Sequence, residues 1–105
     1  MLPARKALLF TTIAQGAAGT TQLVAADTTR RIKVVSYAFT MSLAGTAKFT
    51  GAADLTGAMT LATNGGVSAI SGQFDWMFQT SVNAALSIVT TLGAANGHLC
   101  YFLEA

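Results

Sequence analysis

Apolar and polar residues alternate along much of this chain with a period of two. The stretch Arg30 to Leu43, RRIKVVSYAFTMSL, is the longest. Reading every second position puts Val35, Tyr37, Phe39, Met41 and Leu43 on one face, with Ile32, Val34, Ser36, Ala38 and Thr40 on the other. Strand side chains point to alternate faces, so this reads as a strand with a bulky inner face and a small, semi-polar outer one. NAALSIVTT sets Leu86 and Ile88 against Ala85, Ser87 and Val89. GHLCYFLEA sets Leu99, Tyr101 and Leu103 against His98, Cys100, Phe102 and Glu104.

Turn residues cut the chain at short intervals: Gln15–Thr20, Ala26–Thr29, Ala44–Thr46, Gly51–Asp54, Asn64–Gly66 and Gly93–Gly97. Short β-branched segments between such turns predict an all-β sandwich of about eight strands in a single domain over residues 1–105. GAADLTGAMTLA has some helical character, but Gly51 and Gly57 count against a helix. TNGGV reads as a tight hairpin turn, with no lysine to hold a phosphate. ARKALLFTTIA has the outline of a secretory leader. Thr11 and Thr12 interrupt its apolar run after Phe10, so Ala4–Ala14 reads as a first strand, with residues 1–10 as an alternative arm reaching a neighbour.

Composition sharpens this picture. Only 10% of the 105 residues are charged, while 52% are hydrophobic. An average soluble domain carries about 25% charge. A small body has much surface to cover, and this one has few charges to cover it with. Two explanations present themselves, a membrane span or a surface occupied by other protein. Trp76 to Leu103 lacks any charge, yet Gln79, Asn83, Asn96 and His98 interrupt it. No run of about 20 apolar residues exists to span a bilayer as a helix. Assembly is therefore the expectation, with no membrane partner. The net charge of +2 is too small for the dense basic face that nucleic acid requires.

Candidate chemistry is sparse. His98 and Cys100 share a strand face, but a thiolate–imidazole pair also needs an orienting group and an oxyanion donor. A buried inert thiol is the plainer reading. A zinc site needs three or four ligands, which one chain does not supply; three copies of His98 about a threefold axis are the remaining route to a metal. Asp27, Asp54, Asp75 and Glu104 are scattered and unpaired. The expectation is no enzyme, no cofactor and no metal. Arg5, Lys6, Arg30, Arg31 and Lys33 hold five of the six basic charges. They read either as a patch gripping an acidic partner or as strand ends that discourage edge aggregation. FDWMFQT holds Phe74, Trp76 and Phe78, aromatics of the kind that anchor cores and interfaces alike. With the apolar Leu8, Leu9 and Phe10, these make the candidate contact set Arg5, Lys6, Leu8, Leu9, Phe10, Arg30, Arg31, Phe74, Trp76 and Phe78.

The order RRIKVVSYAF, KFTGAADLTGAMTLATNGGV, DWMFQT, NAALSI and NGHLCYFLE resembles small virion proteins of tailed bacteriophages. The resemblance is to the jelly-roll capsid decoration (cement) proteins, and it runs from about Gln22 to Glu104. It implies a two-sheet jelly roll, a homotrimer, a place on the outer capsid surface and the major capsid protein as partner, with no catalytic residues. With the sequence ending at Ala105, the expectation is a compact cement role with no appended receptor-binding module. Related domains occur in tails and fibres, so a receptor- or glycan-binding head stands as the alternative.

Overall fold

A computed structural model describes residues 7–71 and 76–105. Within them the chain forms nine strands and no helix: β1 Leu9–Ala14, β2 Gly19–Val24, β3 Arg31–Met41, β4 Gly45–Thr50, β5 Met59–Leu61, β6 Gly66–Ile70, β7 Phe78–Gln79, β8 Leu86–Thr90 and β9 Ala95–Glu104. They lie in two antiparallel sheets. One has the order β1-β9-β3-β6, with β7 also on β3; the other is β2-β8-β4-β5.

The connectivity is that of a long hairpin rolled over two layers. β4 pairs with β5, β3 with β6, β2 with β8 and β1 with β9, as in a hairpin closed at β4–β5. Rolling it adds the contacts β3–β9 and β4–β8. Successive legs alternate between layers, which is the double-sheet jelly-roll arrangement. The expected all-β sandwich is the observed one, with the two-residue β7 as an extra strand.

The core forms between the sheets. Ile13, Ile32, Val34, Tyr37, Phe39, Met41 and Leu99 come from the larger sheet, and Ala47, Phe49, Leu86 and Ile88 from the smaller. Phe49 is its centre, with ring centroids 4.9 Å from Tyr37, 5.9 Å from Phe39 and 5.5 Å from Phe78. Truncating such a ring to alanine typically costs about 3–5 kcal/mol.

Three expectations need correction. The alternation along β3 does not run unbroken. Val34 pairs with Tyr101 and Ser36 with Cys100, so Val35 is an extra residue and the ladder bulges there. A bulge resets the phase of a strand. Ile32 and Val34 therefore share the core face with Tyr37, Phe39 and Met41, and Val35 does not. Leu43 lies beyond the end of β3 and is 54% exposed. Finally, the Asn-Gly-Gly turn is tight, with Asn64 at φ 61° and the Gly65 N–H bonded to the Ala62 carbonyl at 2.8 Å, but it closes no hairpin. It carries the chain from one sheet to the other, since β5 pairs with β4 and β6 with β3.

Candidate functional site

Directly paired residues of adjacent strands project from the same face. Following the register across the larger sheet from β1 to β6 gives the row Phe10, Cys100, Ser36, Ile70. The next row is Thr12, His98, Ala38, Ser68, and the one after it Ala14, Asn96, Thr40, Gly66. These rows make up the outer face beyond the Val35 bulge, where no residue bears a formal charge; before the bulge the same face carries Lys33 and Glu104. Phe10 is 72% exposed and Ile70 78% exposed, and they stand at opposite margins. With three strand spacings between them, the margins are about 14 Å apart. Small side chains form the floor, and an open groove of about 390 Å³ runs over Ala38, Ser68, Gly97 and His98. Large apolar residues exposed beside a charge-free stretch of sheet are a recognised mark of a contact surface.

The expected contact residues separate in the structure. Leu8, just before edge strand β1, and Leu9, at its start, are exposed beside Phe10. Arg30 projects from the β2–β3 connection, where its guanidinium holds Asp27 Oδ2 at 2.9 and 3.1 Å. Arg31 reaches the Thr80 carbonyl at 3.4 Å. Phe78 turns inward and joins the aromatic core around Phe49, because its partner Val34 faces inward. Trp76 lies beneath the Lys33 ammonium, 5.1 Å from ring centroid to nitrogen. Arg5, Lys6 and Phe74 lie outside the described residues.

The charges that are described neutralise one another locally. Lys33 is nearly buried and bonds Glu104 at 2.8 Å; Lys48 bonds Asp54 at 3.0 Å. Two backbone N–H groups, of Thr29 and Arg30, meet Asp27 Oδ1 at 3.0 Å each. The Thr29 N–H, then the Arg30 guanidinium, lower the Asp27 carboxyl from its ordinary 3.8 to about 2. The described basic residues thus form no bare cationic patch apart from Arg31.

These charges are also segregated. The strand directions bring the connections 25–30 and 51–58 and the end of β9 to one end of the sandwich. Asp27, Arg30, Arg31, Lys33, Asp54 and Glu104 all lie there, and Lys48 points to Asp54. The opposite end, made of connections 15–18, 42–44, 62–65 and 91–94, has none.

His98 and Cys100 do lie on one face, two residues apart on β9. Burial pushes the Cys100 thiol up, with the Ser36 hydroxyl pulling partly back, which favours the inert protonated form. Among the described residues no three of His, Cys, Asp and Glu gather as a metal site. Among the described residues no helix is long and apolar enough to cross a membrane. No family model, curated protein or solved structure matches this chain.

Ile70, Leu43 and Leu92 are exposed apolar residues that pattern reading missed. A signal existed for each. Ile70 has the opposite parity to Val67 and Ala69 in GVSAI, and the two leucines each sit within two residues of a glycine in a turn.

Proposed function

We propose that this protein is a structural virion protein of a tailed bacteriophage, a decoration or cement protein. It assembles as a homotrimer on the outer capsid surface and ties subunits of the major capsid protein together, without catalysis. The observation that carries this reading is the uncharged part of the outer face of the larger sheet, the three rows beyond the Val35 bulge, with Phe10 and Ile70 exposed at its margins. A 10.8 kDa chain with such a face is suited to lasting contact with protein. The jelly-roll connectivity and the resemblance of the strand-and-turn order support the same reading. Repeated weak contacts become firm when three copies bind as one, through effective concentration.

A glycan-binding head would use the groove on the same face. Its polar lining of Ser68, Asn96 and His98 suits a sugar, but Phe39 is the sole aromatic among its lining residues and its ring is 2% exposed in the core. The groove therefore has no stacking platform, and the assembly reading is preferred.

The test is sedimentation of purified protein with capsid shells that lack it, together with light scattering of the protein alone. Saturable binding, and a species about three times 10.8 kDa, are expected. A chain that stays at 10.8 kDa and does not sediment with shells would sink the reading.

A further inference from the structure

The charge-free end of the sandwich is held rigidly. The Ser42 N–H donates to the Ala94 carbonyl at 2.9 Å, and the Ala94 N–H returns a bond to Ser42 Oγ at 2.9 Å. The Asn64 N–H donates to the Met41 carbonyl at 2.8 Å, and the Thr91 N–H to the Thr46 carbonyl at 2.9 Å. Gly93 packs so closely on the Leu43 backbone that no side chain would fit. Two leucines project from this platform, Leu43 at 54% and Leu92 at 77% exposure.

Leu92 is held in an unfavourable conformation. Its φ is 65°, and it is the centre of a three-residue turn closed by the Gly93 N–H on the Thr91 carbonyl at 2.7 Å. Turns of this form are rare and strained. Glycine would take the same conformation at no steric cost. The leucine side chain contributes little to the core, so the fold gains nothing visible from it. Strained backbone persists only where the surrounding structure holds it in place, and it clusters at functional positions such as ligand clamps.

We propose that this end is a plug that enters an uncharged, apolar pocket of the capsid lattice, with Leu43 and Leu92 as its anchors. The proposal rests on the decoration reading and adds the orientation: loop end inward, charged end in solvent. Burying the charged end would strip water from Asp27, Arg30 and Arg31, whereas the four connections of the loop end carry no ions to desolvate. A second copy is a poor occupant. The molecule is 26 × 20 Å across its shorter dimensions, so an end-to-end contact buries about 500 Å² a side, below the ~800 Å² per partner of a stable interface. A concave pocket covers the flanks of the loops as well as their tips and escapes that limit. Lipid is also disfavoured, because surface-binding elements carry basic and aromatic residues that these loops lack. The β1 edge and the outer sheet face are left for neighbouring copies.

The experiment uses the full chain, its Leu92→Gly and Leu43→Ser variants and the double variant, with capsid shells lacking the protein as probe. Each single change should weaken shell binding about tenfold and the pair about a hundredfold. Leu92→Gly should leave Tm unchanged or raise it, since glycine relieves the turn. Full shell affinity in the double variant overturns the plug. A clear fall in Tm for Leu92→Gly does so too, by making the leucine a folding residue. Wild-type protein that ignores the shells removes the decoration reading itself and the plug with it. Flotation of the wild type with neutral phosphatidylcholine vesicles, lost in the double variant, would assign the end to lipid and overturn the protein pocket.

Discussion

Gln15 and Thr90 are joined across the two sheets by a hydrogen bond of 2.8 Å from the Thr90 hydroxyl to Gln15 Oε1, with both residues buried. The same oxygen accepts the Ala95 N–H at 2.8 Å, while Nε2 donates to the Gly19 carbonyl and to Thr21 Oγ1. The amide is fully satisfied and closes the uncharged end of the sandwich. Gln15→Leu leaves the Thr90 hydroxyl and the Ala95 N–H buried without that acceptor. The expected cost is about 2–4 kcal/mol, read from urea unfolding. A double-mutant cycle with Thr90→Val should show clear coupling, and simple additivity would refute the network.

Gly97 lies in the middle of the sheet against β3, and a Cβ there would land on the carbonyl oxygen of Ala38. Backbone cannot yield as a side-chain tip can. Gly97→Ala should therefore cost about 3 kcal/mol or more, by prying apart the two longest strands. Gly57→Ala is the control: nothing lies within 4 Å of its Cβ, and its effect should stay within about 0.5 kcal/mol. Equal melting shifts for the two would contradict the close approach.

Much of this architecture was legible in the residues, and the failures have identifiable causes. Alternation alone put Leu86 with Ile88, and Leu99 with Tyr101 and Leu103, on shared faces, and those faces pack on the core. The phase change at Val35 did not, because a period of two cannot register an inserted residue. Asn64 and the glycines after it announced a turn, but turn chemistry is local and says nothing of which sheet receives the next strand. Exposure of Leu8 to Phe10 could be suspected from an apolar run behind basic residues, whereas Phe78 was drawn inward by Phe49 on the opposite sheet, a contact between distant residues. The segregation of charge to one end emerges only once strand directions are known.

Asp27 couples the β2–β3 connection to acid. Its folded carboxyl lies at about 2 against an ordinary 3.8, so the folded chain holds the charged form more firmly than the unfolded chain does. That contribution is present above pH 3.8 and is lost as the pH falls through about 2. Asp27→Asn removes a group that titrates in this window. Stability plotted against pH should be flatter for the variant between pH 3.8 and 2, and parallel curves would show that Asp27 carries no such linkage.

Val35 determines which partners line the free edge of β3. Before it, Lys33 and Val34 pair with β7; after it, Ser36 to Thr40 pair with β6. Its own carbonyl accepts the Ser71 N–H at 2.8 Å, and the neighbouring Val34 carbonyl accepts the Met77 N–H at 2.8 Å. The bulge thus anchors both ends of the connection that leaves β6 and returns as β7. Deleting Val35 leaves Ile32, Val34, Tyr37 and Phe39 in simple alternation, all still facing the core. The shortened chain should therefore fold, with the same β-rich circular dichroism. It should lose about 1–3 kcal/mol, because the edge partners no longer match their acceptors. Hydrogen exchange locates the loss: the amides of Ser71 and Met77 should lose protection, while that of Ser42 at the far end keeps it. Unchanged protection at Ser71 and Met77 would mean that the bulge is incidental to the edge. Failure to fold would mean that β3 needs the extra residue for the core itself.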